Sequence, residues 1–100
     1  MSTQQQAPAP TLLRERRAEA LDAMFDSERW TNRKVAAALG LTHTYVGRRR
    51  NGELDLTFAD IEMFAGLLRR SPEELFAELR AAETGPQQPQ AGSNPRVSVP

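Results

Sequence analysis

The chain has 100 residues, with 13 basic and 13 acidic side chains, one histidine and no cysteine. This length allows one small domain, and the lack of cysteine excludes a disulfide framework and a thiolate metal site. No apolar stretch approaches the roughly 20 residues of a membrane span, and the polar first residues are unlike a secretory signal, so we expect a cytoplasmic protein. One histidine and no nucleophile beside a base predict that it is not an enzyme and that it has no cofactor and no metal.

The two ends of the chain are rich in Gln, Pro, Ser and Gly and hold few large apolar side chains. Such segments bury too little apolar surface to offset the entropy of ordering. We therefore predict disordered tails at residues 1–10 and 83–100, and one folded domain at residues 11–82.

The first predicted helix begins at Thr11. Its apolar residues recur at helical spacing and form one face: Leu13, Ala20, Leu21, Met24 and Phe25. Trp30 follows this helix. We expect its ring to pack at the junction with the second helix, not to stack on a nucleotide base of a ligand.

Residues 31–52 predict two short helices joined by a tight turn. Gly40 accepts the left-handed conformation that ends a helix, and Thr42 supplies an oxygen that caps the next helix. Two helices that cross through so short a turn need a small residue on the first and an apolar residue on the second. Ala36 and Val46 meet this requirement.

The basic residues concentrate in this part of the chain. Residues 29–50 hold six basic side chains and no acidic one, whereas residues 1–28 sum to −2 and residues 51–83 sum to −5. A charge run alone is more often a solvated helix surface. Beside the tight turn, however, it favours binding of a polyanion in one orientation.

Two further helices follow, each with a clear start. Thr57 and Asp60 can cap each other's backbone amides, and Ser71 and Glu74 can do the same, with Pro72 at the first helical position. The predicted buried faces are Ile61, Phe64, Ala65 and Leu68 on the fourth helix, and Leu75, Phe76 and Leu79 on the fifth.

Residues 31–52 also match a known pattern: polar-x-x-x-Ala-x-x-x-Gly-apolar-Ser/Thr-x-x-x-Val/Ile, closed by Asn-Gly. The matching residues are Asn32, Ala36, Gly40, Leu41, Thr42, Val46, Asn51 and Gly52. The segment resembles the phage-repressor and Cro-type helix-turn-helix family, also called the xenobiotic-response-element family, over roughly residues 12–80. The resemblance implies an all-α fold, a lambda-repressor-like bundle of about five short helices whose third helix enters the major groove of DNA.

One face of the third helix holds the candidate base-contacting residues: His43, Thr44, Gly47 and Arg48. In the family, the first two residues after the cap and one residue four to five positions later approach base edges, which implies His43, Thr44 and Arg48. Arginine can donate twice to guanine, and this contact discriminates by about 1–3 kcal/mol. For His43, an exposed position near a phosphate is an equally reasonable alternative.

The candidate phosphate contacts lie at helix starts and among the neighbouring basic residues: Thr31, Asn32, Arg33, Lys34, Arg49, Arg50, Asn51 and Thr57. Asn51 is alternatively a turn residue before Gly52. Arg49 departs from the family, which usually places a large apolar residue there. Its guanidinium is expected to reach a phosphate, or an acid such as Glu53 or Asp55.

The leading hypothesis is a sequence-specific transcriptional regulator, a repressor or Cro-like switch protein of a phage or mobile element. Alternatives are the antitoxin of a toxin–antitoxin pair and a protein-binding adaptor with the same fold. The expected partner is a double-stranded DNA operator, bound by a weak or DNA-assisted homodimer, without a small-molecule effector. The expected pairing surface is the fifth helix with its flanks: Phe76, Leu79, and Leu67 or Leu68.

Overall fold

Five α-helices form the part of the chain that the computed structural model describes, residues 9–84. They are α1 (Pro10–Ser27), α2 (Asn32–Leu39), α3 (His43–Arg50), α4 (Phe58–Leu67) and α5 (Pro72–Ala82). No strand occurs among these residues, so the expected all-α class is confirmed for them. The predicted tails lie almost entirely outside the described residues.

Hydroxyl side chains define the start of every helix after the first. Each accepts a hydrogen bond from the backbone N–H three residues further on, at 3.0–3.1 Å: Thr31 from Lys34, Thr42 from Tyr45, Thr57 from Asp60, and Ser71 from Glu74. In return, the carboxylates of Asp60 and Glu74 accept hydrogen bonds from the backbone N–H groups of Thr57 and Ser71. Both predicted capping boxes are therefore confirmed.

The predicted tight turn lies between α2 and α3. Helix α2 ends at Leu39, and Gly40 follows with φ 73°, the left-handed conformation that glycine adopts at low cost. The Gly40 and Leu41 amides both donate to the carbonyl of Ala36. Helix α3 then begins at His43, so the chain reverses within three residues.

The core lies where the five helices meet. Its buried members include Leu21, Phe25, Val35, Ala36, Val46, Ile61, Phe64, Ala65, Leu68, Leu75 and Leu79. The rings of Phe25 and Phe64 meet edge to face with centroids 5.3 Å apart, which joins α1 to α4. Trp30 is half-buried and packs against this core, as expected.

One predicted core residue is on the surface. Phe76 is 42 % exposed, because Leu75 and Leu79 already supply the buried stripe of α5. The expected pairing surface also needs correction, since Leu79 and Leu68 are buried in the core and cannot contact a second chain.

No helix among residues 9–84 is long and apolar enough to cross a membrane.

Candidate nucleic-acid interface

The first two residues of α3 present their side chains to solvent. His43 and Thr44 are exposed, and so is Arg48 one turn later. Arg48 lies 3.6 Å from a carboxylate oxygen of Glu53, and both side chains are more than half exposed. Because an exposed ion pair contributes little, Arg48 can exchange Glu53 for another acceptor.

Gly47 lies at the contact between α3 and α2. A Cβ atom at this position would lie 3.3 Å from Nδ2 of Asn32, the first residue of α2. The lack of a side chain therefore lets α2 begin close to α3. A contact between Gly47 and a base stays a prediction.

The side of α3 that faces α4 is fixed by a buried carboxylate. Asp60, with no exposed surface, accepts hydrogen bonds from the Tyr45 hydroxyl at 2.6 Å and from Nε of Arg49 at 3.1 Å. The Arg49 guanidinium also lies 3.9 Å from the centre of the Tyr45 ring. Since Asp60 caps α4 as well, accepting from the Thr57 amide at 2.9 Å, one carboxylate joins two helices.

These contacts shift the pKa values of the Asp60 carboxyl and the Tyr45 hydroxyl. Burial by itself would raise the pKa of Asp60, but the hydrogen bonds from Thr57, Tyr45 and Arg49 outweigh it and hold that pKa below its ordinary value. The hydrogen bond to Asp60, and then burial, raise the pKa of the Tyr45 hydroxyl. The carboxylate is therefore ionised and Tyr45 is protonated near neutral pH.

The position of Arg49 corrects the sequence-based expectation. Its side chain is only 12 % exposed, and its acid partner is Asp60, not Glu53 or Asp55. Asp55 instead pairs with Arg17 at 3.0 Å. Arg49 therefore holds α3 onto α4, in the place where an apolar residue was expected.

Arg50 is also an internal residue, which contradicts its prediction as a phosphate contact. Its side chain is 8 % exposed. Nε donates to Asp22 on α1 and Nη1 donates to the carbonyl of Trp30, both at 2.7 Å, and the guanidinium lies 5.1 Å from the centre of the Phe25 ring. With all of these contacts inside the molecule, Arg50 is not placed to bind a phosphate.

The residues after α3 dock onto α1. Gly52 has φ 85° and is buried, and a Cβ atom there would lie 3.4 Å from atoms of Glu15 and Ala18. Its carbonyl accepts a hydrogen bond from Nε of Arg14 at 2.8 Å. The side chain of Asn51 accepts from the Glu53 amide at 2.9 Å, so Asn51 acts as a turn residue here.

The other predicted phosphate contacts are exposed: Thr31, Asn32, Arg33, Lys34, Asn51 and Thr57. The hydroxyls of Thr31 and Thr57 are occupied as helix caps. The side chains of Arg33 and Lys34 make no hydrogen bond or ion pair with the described residues, so both charges are available to a ligand.

The sequence did not predict the hydrogen bond between Tyr45 and Asp60. The two residues are 15 positions apart and belong to different helices, and no spacing rule connects them. The available signal was Tyr45, which directly precedes the apolar Val46 and is followed four residues later by Arg49. This pattern indicates a polar contact on the inner side of α3.

Comparison with known proteins identifies no relative: no family model, no curated protein and no solved structure matches this chain.

Proposed function

We propose that this protein is a sequence-specific double-stranded DNA-binding transcriptional regulator with a lambda-repressor-like helix-turn-helix domain. The observation that carries this proposal is the contrast between the two sides of α3. Its inner side is held by Asp60 and Asp22 on two other helices, whereas His43, Thr44 and Arg48 remain exposed. A helix that is held on one side and exposed on the other is suited to reading base edges in a major groove.

The charges around α3 suit a phosphate backbone. Arg33 and Lys34 are exposed on the first turn of α2, next to Thr31 and Asn32, and such contacts supply most of the affinity for DNA without reading its sequence. Arg49 and Arg50 are no longer proposed as phosphate contacts, because their guanidinium groups bond to Asp60 and Asp22 within the protein. The proposed phosphate contacts therefore lie on α2, at Asn51 and at the start of α4.

We further propose that two copies pair weakly on the operator through an apolar surface between α4 and α5. Phe58 is 81 % exposed and Phe76 is 42 % exposed, and both line one groove with Ile61 and Pro72. This surface replaces the pairing surface expected from the sequence. Binding of a two-fold dimer to inverted half-sites requires the two α3 helices to lie about 34 Å apart, one turn of DNA, as in a repressor or Cro-like switch protein.

Selection of bound duplexes from a random pool tests the central proposal. The wild-type chain is expected to enrich one sequence. Arg48→Ala should relax the preference at one base pair by about 1–3 kcal/mol, whereas Arg33→Ala should weaken binding to every sequence alike and flatten the salt dependence.

Arg33 is the matched control because it carries the same charge, is exposed and has no partner to lose within residues 9–84. Enrichment of no sequence, or equal effects of both variants on selected and random duplexes, would contradict the proposal.

A further inference from the structure

The basic residues divide into two groups according to their partners. Most described arginines bond to an acid or a backbone carbonyl, as Arg14, Arg17 and Arg70 do. Four basic side chains make no such bond with any residue of the range 9–84: Arg29, Arg33, Lys34 and Arg69. All four are exposed, so these are the charges most available to an anionic ligand.

Three of these four line a single groove. Arg29, Lys34 and Arg69 surround Trp30 together with Gly66 and Leu67. The one acid in this lining is Glu28, which lies 4.0 Å from Arg70. We call this the Trp30 groove. Arg29 and Lys34 also line a neighbouring groove, but there Asp22 and Asp26 accompany them. Basic residues therefore outnumber acidic ones more strongly in the Trp30 groove.

The backbone of the Trp30 groove gives a second and independent indication. Arg29 has φ 65° and Arg69 has φ 60°, and no other residue except glycine has a positive φ within residues 9–84. Each follows the end of a helix, where glycine adopts this conformation without the cost that a side chain adds. The surrounding structure has to offset the cost of such residues, and they are found more often at binding sites.

The two arginines are 40 positions apart in the chain, yet they share the unfavourable backbone, the lack of a partner and the same groove. Glycine at both positions would relieve the backbone and would remove the positive charge. We infer that the Trp30 groove binds phosphates of the DNA backbone that flanks the segment contacted by α3.

This inference rests on the proposed function and extends its interface. Lys34 belongs both to the Trp30 groove and to the first turn of α2, so the groove continues from the proposed phosphate contacts at Thr31 and Asn32. Guanidinium groups donate in a planar fork that matches phosphate oxygens. DNA bound in this way would extend from the start of α2 toward Arg69, in the turn between α4 and α5.

The test uses the double variant Arg29→Gly/Arg69→Gly and two duplexes. One duplex is the site selected by the wild-type chain, and the other carries the same site with about one helical turn, roughly 10 base pairs, added on each side. On the long duplex, the double variant is expected to bind roughly tenfold more weakly. The slope of log K against log salt should be less steep by about 1.8, because each lost phosphate contact removes roughly 0.9.

On the short duplex, the double variant should bind as the wild-type chain does, and its melting temperature should be unchanged or higher because the strain is relieved. Lys34→Gln, which leaves the turns intact, is the second variant and should weaken binding to the long duplex more than to the short one. Arg48→Ala is the contrast and should weaken binding to both duplexes.

The outcomes separate this inference from the proposed function. If the wild-type chain selects no DNA, both fail. If Arg48→Ala weakens binding as expected but the double variant matches the wild-type chain on the long duplex, only the Trp30 groove fails. An equal loss on both duplexes would also overturn the inference, because the groove would then lie over the operator itself. Unchanged DNA binding together with saturable binding of a poly-glutamate peptide would assign the groove to an acidic protein instead.

Discussion

Replacement of Asp60 by asparagine tests the contact on which the position of α3 depends. The carboxylate is fully buried and accepts three hydrogen bonds, from the Tyr45 hydroxyl, Nε of Arg49 and the Thr57 amide. In Asp60→Asn, the amide oxygen can still accept from Arg49 and Thr57, and the Tyr45 hydroxyl can reverse and accept from the amide nitrogen. The variant thus keeps the geometry and loses the charge.

The expected cost follows from that difference. Hydrogen bonds to charged groups contribute about 1.5–3 kcal/mol and neutral ones about 0.5–1.5 kcal/mol, so we expect Asp60→Asn to lower the free energy of unfolding by about 2 kcal/mol. Asp60→Ala removes both acceptor oxygens, and with them all three hydrogen bonds, and leaves Arg49 nearly buried without an acid, at a cost of about 3–5 kcal/mol. A domain of this size has about 4–11 kcal/mol in total, so Asp60→Ala approaches the limit of folding.

The pH dependence has a definite sign. Because the pKa of Asp60 is lowered in the folded protein, its contribution is complete above the unfolded value of about 4 and is lost as pH falls through the lower folded value. The wild-type protein loses this contribution in acid, and Asp60→Asn has none to lose. The difference in stability between the two proteins should therefore shrink as pH falls below about 4.

Urea unfolding followed by Trp30 fluorescence and far-UV circular dichroism measures both effects. With a slope near 1 kcal/mol per molar urea, the midpoint of Asp60→Asn should fall by about 2 M at neutral pH. Glu62→Gln is the matched control, an exposed acid two residues away on the same helix, and should shift stability by less than about 0.5 kcal/mol. Equal effects of the two substitutions, or a difference that stays constant in acid, would refute the role of Asp60.

Two further predictions concern the positions around α3. Arg50→Lys should lower the free energy of unfolding by about 1–3 kcal/mol, because an ammonium group cannot reproduce the directed bonds to both Asp22 and the Trp30 carbonyl; a stability unchanged in urea unfolding would contradict this. Gly66→Ala should raise stability by about 0.5–1 kcal/mol, since a Cβ atom there meets nothing within 4 Å and alanine is the better helix former. Gly47→Ala should gain less in the same assay, because its Cβ atom would lie 3.3 Å from Asn32 and this amide must shift; an equal gain at both positions would argue against close packing of α2 on α3.

Local rules in the sequence were sufficient for the framework of helices. A hydroxyl residue followed by an acid three positions later marks a helix start by local hydrogen bonding, and Thr57 and Ser71 behave accordingly. The turn at Gly40 is equally local, because one left-handed residue determines it. The exposure of Phe76 was not predictable in this way, since helical spacing does not say how wide a stripe the neighbouring helices cover.

The three consecutive arginines show where sequence reasoning ends. All three were assigned to DNA, but only Arg48 is exposed, while Arg49 and Arg50 bond to Asp60 and Asp22. Successive helical residues point about 100° apart, so three identical side chains face solvent, α4 and α1. The acids that receive them come from distant parts of the chain, and only the tertiary fold brings them together.

The internal arginines also bear on how binding measurements should be interpreted. Helix α3 buries Val46 as its one fully buried apolar side chain, so its attachment depends on the ion pairs of Arg49 and Arg50 to an unusual degree. A substitution at Asp60, Asp22 or Arg50 that weakens DNA binding therefore acts through the position or folding of α3. Under the proposed function, substitutions at Arg48 or Arg33 would act on DNA binding directly, because their side chains have no buried partner to lose. Loss of DNA binding at an unchanged unfolding midpoint in urea distinguishes the second group from the first.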